Sequence, residues 1–296
     1  MRKISFVLAI GLLTAACTSA GASGSPVGSP TVSPAPAYDV ATGPDQLVLR
    51  ISSGGGLVPP GYNLTAKPWF ALYGDGRIVV QGPVIEIYPS PLLPNLRLMR
   101  VTPAEIQKII AAADQAGLLG PDASYDAAGV YDAGTTTFTT TVAGKTHTID
   151  AYALGIDVPV TDAAVDAARK KLSAFDDKIG NLSAFLGRTV DDTEAYEATS
   201  TRIFTSPSDP AAAATDGLSR QVLAWPLSVD PGTGGEAAQV PGTRCLVVTG
   251  PDLAAFLASA KSANALTVWT SGAGRYSVSV RPLYPDETGC RAAQAN

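Results

Sequence analysis

The chain has a single histidine, His147, and only three cysteines, Cys17, Cys245 and Cys290, among 296 residues. Zinc sites need Cys or His ligands in a cluster, and no such cluster exists here. One histidine leaves one imidazole for any nucleophilic triad. Basic charge is also scarce: 21 Lys and Arg stand against 26 Asp and Glu, for a net charge of −5. A binder of the phosphate backbone would carry a basic footprint, so no nucleic-acid partner is expected. No apolar run reaches the roughly 18 residues that a membrane-spanning helix needs. Nothing in this inventory calls for a cofactor, and none is expected. What is abundant is apolar character, at 46% of residues, in a chain long enough to bury a core as one large domain or two ordinary ones.

The N-terminus carries the strongest signal. Met1-Arg2-Lys3 is cationic, Ile4 to Leu13 is apolar, and small residues follow up to Cys17. This order predicts a secretory signal over residues 1–16. Leu13-Thr14-Ala15-Ala16-Cys17 resembles the lipobox of bacterial lipoproteins, with Leu one place earlier than usual. The resemblance implies cleavage before Cys17 and a thioether-linked diacylglycerol on it. The protein would then sit on the outer face of the bacterial cytoplasmic membrane, with that lipid as its contact with the bilayer. Cleavage leaves 19 basic against 26 acidic side chains, a net −7. Residues 17–44 read as the lipidated cysteine and a tether. Thr18 to Tyr38 is almost wholly Ser, Gly, Ala, Pro, Thr and Val. Such a segment cannot bury enough surface to offset its ordering entropy. It spans about 65 Å as polyproline and roughly 25 Å as a flexible coil.

The body divides by pattern into residues 45–190 and 191–296. In the first part, Gln46–Ile51 reads as a strand, and Trp69–Tyr73 and Arg77–Gln81 form a hairpin turned at Gly74-Asp75-Gly76. Prolines at 83, 89, 91 and 94 mark a loop or sheet edge. Thr102-Pro103-Ala104-Glu105 predicts a capped helix start, with an apolar stripe of Ile106, Ile109, Ile110 and Ala113. Thr135–Val142 and Thr146–Tyr152 predict a second hairpin, and a long helix follows Thr161, with Gly180-Asn181 as a break. The second part offers strands at 201–206, 221–226, 243–249, 266–271 and 275–281, and one helix over 251–262. Hairpins dominate, so the expectation is an α+β fold with antiparallel sheets and two or three helices on one face.

Two local patterns carry a resemblance. The Gly-Asp-Gly hairpin, capped helix, Thr-rich hairpin and closing helix resemble a secreted bacterial domain of no assigned activity. The tail Arg281-Pro282-Leu283-Tyr284-Pro285-Asp286-Glu287, ending at Cys290, with Trp225-Pro226-Leu227 upstream, is similar to uncharacterised actinobacterial lipoproteins. Neither resemblance implies an activity.

Chemistry-bearing motifs are few. No Gly-x-Ser-x-Gly or Ser-x-x-Lys occurs, and Gly144-Lys145-Thr146 lacks the first glycine of a phosphate loop. His147 reads as a half-exposed strand residue. Asp122, Asp126 and Asp132 share one loop with Gly129 and Gly134, a conceivable calcium site whose spacing matches no standard loop. Tyr62, Trp69, Phe70, Tyr73 and Tyr88 concentrate in the first part, as core packing or as a stacking surface. With Cys17 taken by the lipid, Cys245 and Cys290 remain to pair in a disulfide. The favoured reading is a lipid-anchored extracytoplasmic binding or structural accessory, its protein or cell-wall partner unspecified. The alternative is a carboxylate-dependent hydrolase of cell-wall polysaccharide, for which a pair of acids about 5–9 Å apart in a deep cleft is required.

Overall fold

The computed structural model describes residues 37–59, 61–191, 194–208 and 217–290; the signal, Cys17 and most of the tether lie outside the described residues. The described residues, from Ala37 on, cluster as one compact unit. Within it are two mixed, mostly antiparallel sheets and their helices, an α+β architecture.

The first sheet has eight strands in the order β5-β7-β6-β1-β2-β3-β4-β8. They are β1 (Leu47–Gly54), β2 (Phe70–Tyr73), β3 (Arg77–Gln81), β4 (Leu96–Arg100), β5 (Ala123–Tyr125), β6 (Thr135–Val142), β7 (Lys145–Tyr152) and β8 (Glu194–Ala195). The β2–β3 turn is made at Gly74-Asp75-Gly76, and Ala143 and Gly144, both at positive φ, close β6 onto β7. Helices α1 (Pro103–Gln115), α2 (Ala163–Gly180) and α3 (Leu182–Leu186) belong to this half. Thr102 and Glu105 form a reciprocal capping box at the start of α1, and Asp162 caps α2 through the amides of Ala164 and Val165. Asn181 separates α2 from α3. Leu49, Ile51, Phe70, Leu72, Ile78, Phe138 and Ile149 face the helices and meet Ile106, Ile109, Ile110, Leu172, Phe175 and Ile179 in one core. Side chains alternate across a strand. Arg50, Ala71, Tyr73, Val79 and Leu98 therefore point to the opposite face of the sheet.

The second sheet has six strands in the order β10-β13-β14-β9-β12-β11. They are β9 (Ser200–Pro207), β10 (Val222–Ala224), β11 (Glu236–Ala237), β12 (Arg244–Thr249), β13 (Val268–Ser271) and β14 (Gly274–Pro282). Helix α4 (Gly250–Ala260) covers one face, where Phe256, Trp225 and Trp269 meet with ring centroids 5.8–6.0 Å apart. The other face presents Arg202, Arg281 and Cys245. Two pairings depart from the hairpin expectation: β5 lies parallel to β7, and β10 parallel to β13. Each is a three-residue edge strand that reaches its neighbour through a long connection, which local turn signals do not encode.

The chain after β14 runs between the two sheets. Tyr284 is fully buried and packs with Ala71, Tyr73, Val79, Leu96 and Leu98 on the non-helical face of the first sheet. The layers thus run helices, first sheet, C-terminal segment, second sheet, α4.

Candidate functional site

A dense polar cluster is built around that segment. Asp286 accepts two hydrogen bonds from Nη2 of Arg50, at 2.7 and 2.8 Å, and a third from the Tyr73 hydroxyl at 2.7 Å. Glu287 takes a two-pronged bond from Arg281, 2.6 Å from Nη1 and 2.7 Å from Nη2, and one from the Tyr284 amide at 2.9 Å. Arg281 also donates to the Ala66 carbonyl, and the Tyr284 hydroxyl to that of Pro68. Arg202 donates to the carbonyls of Gly289 and Thr288. The Arg281 and Glu287 side chains are only 6% and 3% exposed, so the pair is desolvated and its geometry matters.

Burial alone would raise the Glu287 carboxyl. The bonds and charge of Arg281, then the charge of Arg50 and the Tyr284 amide, outweigh it and hold the group below the ordinary carboxylate range. Tyr73 is driven far up, first by burial and then by the Asp286 charge, so it stays a neutral donor. These groups hold strands and tail together, and the lowered Glu287 carboxyl is the reverse of what a general acid needs.

A cleft of about 420 Å³ adjoins the cluster, lined among others by Asn63, Arg202, Glu236, Gln239, Arg281 and Cys290. Among the described residues that line it, Glu236 is the one acid. A second cleft of about 460 Å³, between Leu93–Leu96 and the Ala254–Lys261 side of α4, has Glu197 as the one acid among its described lining residues. A shallower one contains Asp157 and Asp166, but Lys170 binds Asp166 at 2.7 Å. Asp176 on α2 is pushed up by burial and then by the Asp177 charge; it lines none of these three.

The residues singled out by sequence fall as follows. Cys245 and Cys290 have their Cα atoms 5.9 Å apart and their sulfurs at disulfide distance, and Cys290 lines the first cleft. Cys17 lies outside the described residues. Asp122, Asp126 and Asp132 are not brought together: no group of three or more acids, Cys or His placed to hold a metal occurs among the described residues, and Asp122 instead accepts from the Thr148 amide at 2.8 Å. His147 is buried rather than half-exposed, at 7%, because its ring reaches across to the Gly120 carbonyl, and no nucleophile is among its bonded partners. Of the early aromatics, Phe70 and Tyr73 are core and Trp69 is half-buried, whereas Tyr62 and Tyr88 are exposed. Trp225 and Leu227 are also buried, with the Trp225 ring N–H on the Val229 carbonyl.

One feature was not legible as a site. Eight exposed large hydrophobics belong to the first half: Leu57 and Tyr62 between β1 and β2, Val84, Ile85, Ile87 and Tyr88 between β3 and β4, Tyr131 between β5 and β6, and Ile156 after β7. The register places all four loops at one end of the sheet, beyond Gly54, Phe70, Gln81, Leu96, Thr135 and Tyr152.

No helix among the described residues is long and apolar enough to cross a membrane. Set beside known protein families, curated proteins and solved structures, the chain matches none.

Proposed function

We propose that this protein is a lipid-anchored extracytoplasmic accessory of the cell envelope, a binding or structural protein rather than a hydrolase. Diacylglycerol on Cys17 would hold it to the outer face of the cytoplasmic membrane. The likeness of its tail and Trp-Pro-Leu motif to actinobacterial lipoproteins supports the same compartment.

The observation that carries the reading is how the buried charges are engaged. Asp286 and Glu287, the two acids deepest between the sheets, are bound by Arg50 and Arg281. They serve cohesion, and among the described residues the clefts of about 420 and 460 Å³ each contribute one further acid, where glycoside chemistry uses a pair. The motifs behind the resemblance are therefore accounted for by packing: the tail joins the sheets, and Trp225 fills the second core.

Two measurements test this. Cys17→Ser should release the body from the membrane fraction or leave the precursor uncleaved; a variant processed and retained like the parent removes the anchor. The purified body should liberate no reducing ends from wall polysaccharide. Turnover that disappears with Glu236→Gln would establish the hydrolase instead.

A further inference from the structure

We infer that the apolar rim at one end of the first sheet docks a protein whose surface has an apolar centre and a basic periphery. This rests on the accessory reading and gives it a surface.

Three observations lead there. The first is concentration: eight of the eleven exposed large hydrophobics among the described residues stand on the four loops of that one end. Large apolar side chains scattered singly need no explanation, but a set gathered on adjoining loops does. The loops do adjoin: the Leu57 amide donates to the Asp132 carbonyl, the Ala153 amide to that of Gly134, and Gln81 reaches the Lys67 carbonyl. Val84, Ile85, Ile87 and Tyr88 fall within a single stretch of five residues, 54–71% exposed.

The second is charge. The same loops carry Glu86, Asp126, Asp132, Asp157 and Asp162, all exposed, against one lysine, Lys67, which is half-buried and bonded to the Thr65 carbonyl. An apolar face ringed by acids complements one ringed by Lys and Arg. It opposes a second copy of itself and an anionic bilayer, whose charges would repel it.

The third is where the tether joins. Tyr38 is fixed to Gln107 near the start of α1, and Asp39 accepts from the Ala143 amide in the β6–β7 turn. Both contacts lie at the other end of the sheet from the rim. An anchor on Cys17 therefore meets the body at the far end, and strands of eight residues, about 26 Å long, separate the rim from it. The point where the tether joins the body therefore leaves the rim clear.

The experiment uses the full tethered protein in its own membrane. A photo-crosslinking phenylalanine analogue replaces Tyr88, Tyr131 or, as a control at the tether end, Lys145. The expected result is one heterologous protein adduct of the same mass from Tyr88 and Tyr131 and none from Lys145, with the crosslinked peptide of the partner flanked by Lys or Arg. Ile85→Asp, at an exposed position that folding does not need, should cut the Tyr131 adduct by about tenfold or more. Asp132→Lys and added salt should weaken the Tyr88 adduct too. An adduct of doubled mass, a lipid adduct, or indifference to Ile85→Asp overturns the inference. Adducts from Lys145 alone overturn the rim but leave the accessory reading standing; no adduct from any position removes both.

Discussion

Arg50 and Asp286 lie 236 residues apart in the chain, yet the guanidinium holds both carboxylate oxygens at 2.7 and 2.8 Å. The bond ties the first strand of the first sheet to the segment that follows the last strand of the second. Glu287, one residue on, is bound by Arg281 of β14. Adjacent acids thus grip opposite sheets, and the C-terminal segment acts as a bolt between them.

The bolt should be sensitive to losing one side of a pair. Glu287→Ala leaves Arg281 buried without its carboxylate, and breaking a buried ion pair costs about 3–5 kcal/mol. Replacing both partners with apolar residues, Arg281→Met with Glu287→Leu, should recover much of that loss. Urea unfolding of the two variants checks it. A single variant within about 1 kcal/mol of the parent would show that the pair contributes little.

Signals set by residues close together in the chain were the legible ones. The capping box at Thr102 and Glu105, the Gly-Asp-Gly turn and the break at Asn181 were readable because each is set by residues a few places apart. The bolt was not, since nothing in the run Leu47-Val48-Leu49-Arg50-Ile51 says which distant acid will meet its arginine. A charge within an apolar strand was the available hint. The apolar rim was hidden for a similar reason. Val84, Ile85, Ile87 and Tyr88 read as a proline-punctuated loop, and only the sheet register brings Leu57, Tyr131 and Ile156 to the same end. β4 and β8 were also missed, being short and flanked by loop residues.

Gly76 should tolerate no side chain. It sits at φ 84° in the β2–β3 turn, and an added Cβ would run into the carbonyl oxygen of Val101, whose own amide bonds back to Gly76. Left-handed backbone costs a non-glycine residue about 1–2 kcal/mol before any clash. Gly76→Ala should therefore lower stability by about 2 kcal/mol or more. Gly144→Ala, at φ 71° with open space around it, should cost only the conformational part. Equal losses at the two sites would exclude the clash.

The Cys245–Cys290 pair should secure the end of the bolt. The two residues are 45 apart in sequence, with Cα atoms 5.9 Å from each other. Closing a loop of that size stabilises by roughly 4 kcal/mol in the chain-entropy model. The mature protein, unfolded without reductant, should show no free thiol from this pair, and Cys290→Ser should cost about 2–5 kcal/mol. Two titratable thiols would mean that the tail is held by its hydrogen bonds alone.

Acid should loosen the bolt through Glu287. Its carboxyl is held below the ordinary range in the folded protein, because Arg281, Arg50 and the Tyr284 amide together outweigh burial. In the unfolded chain it returns to about 4.3. A depressed folded value means that the unfolded state binds the proton first, so stability from this group is fully present above the unfolded value. It falls as pH drops below about 4.3 and is gone once the folded carboxyl has also been protonated. Glu287→Gln cannot titrate and should remove this share of the acid dependence, while remaining less stable than the parent at neutral pH. The decisive measurement is unfolding free energy against pH for both proteins. Parallel curves between pH 6 and the acid limit would show that Glu287 is not the group on which the acid sensitivity rests.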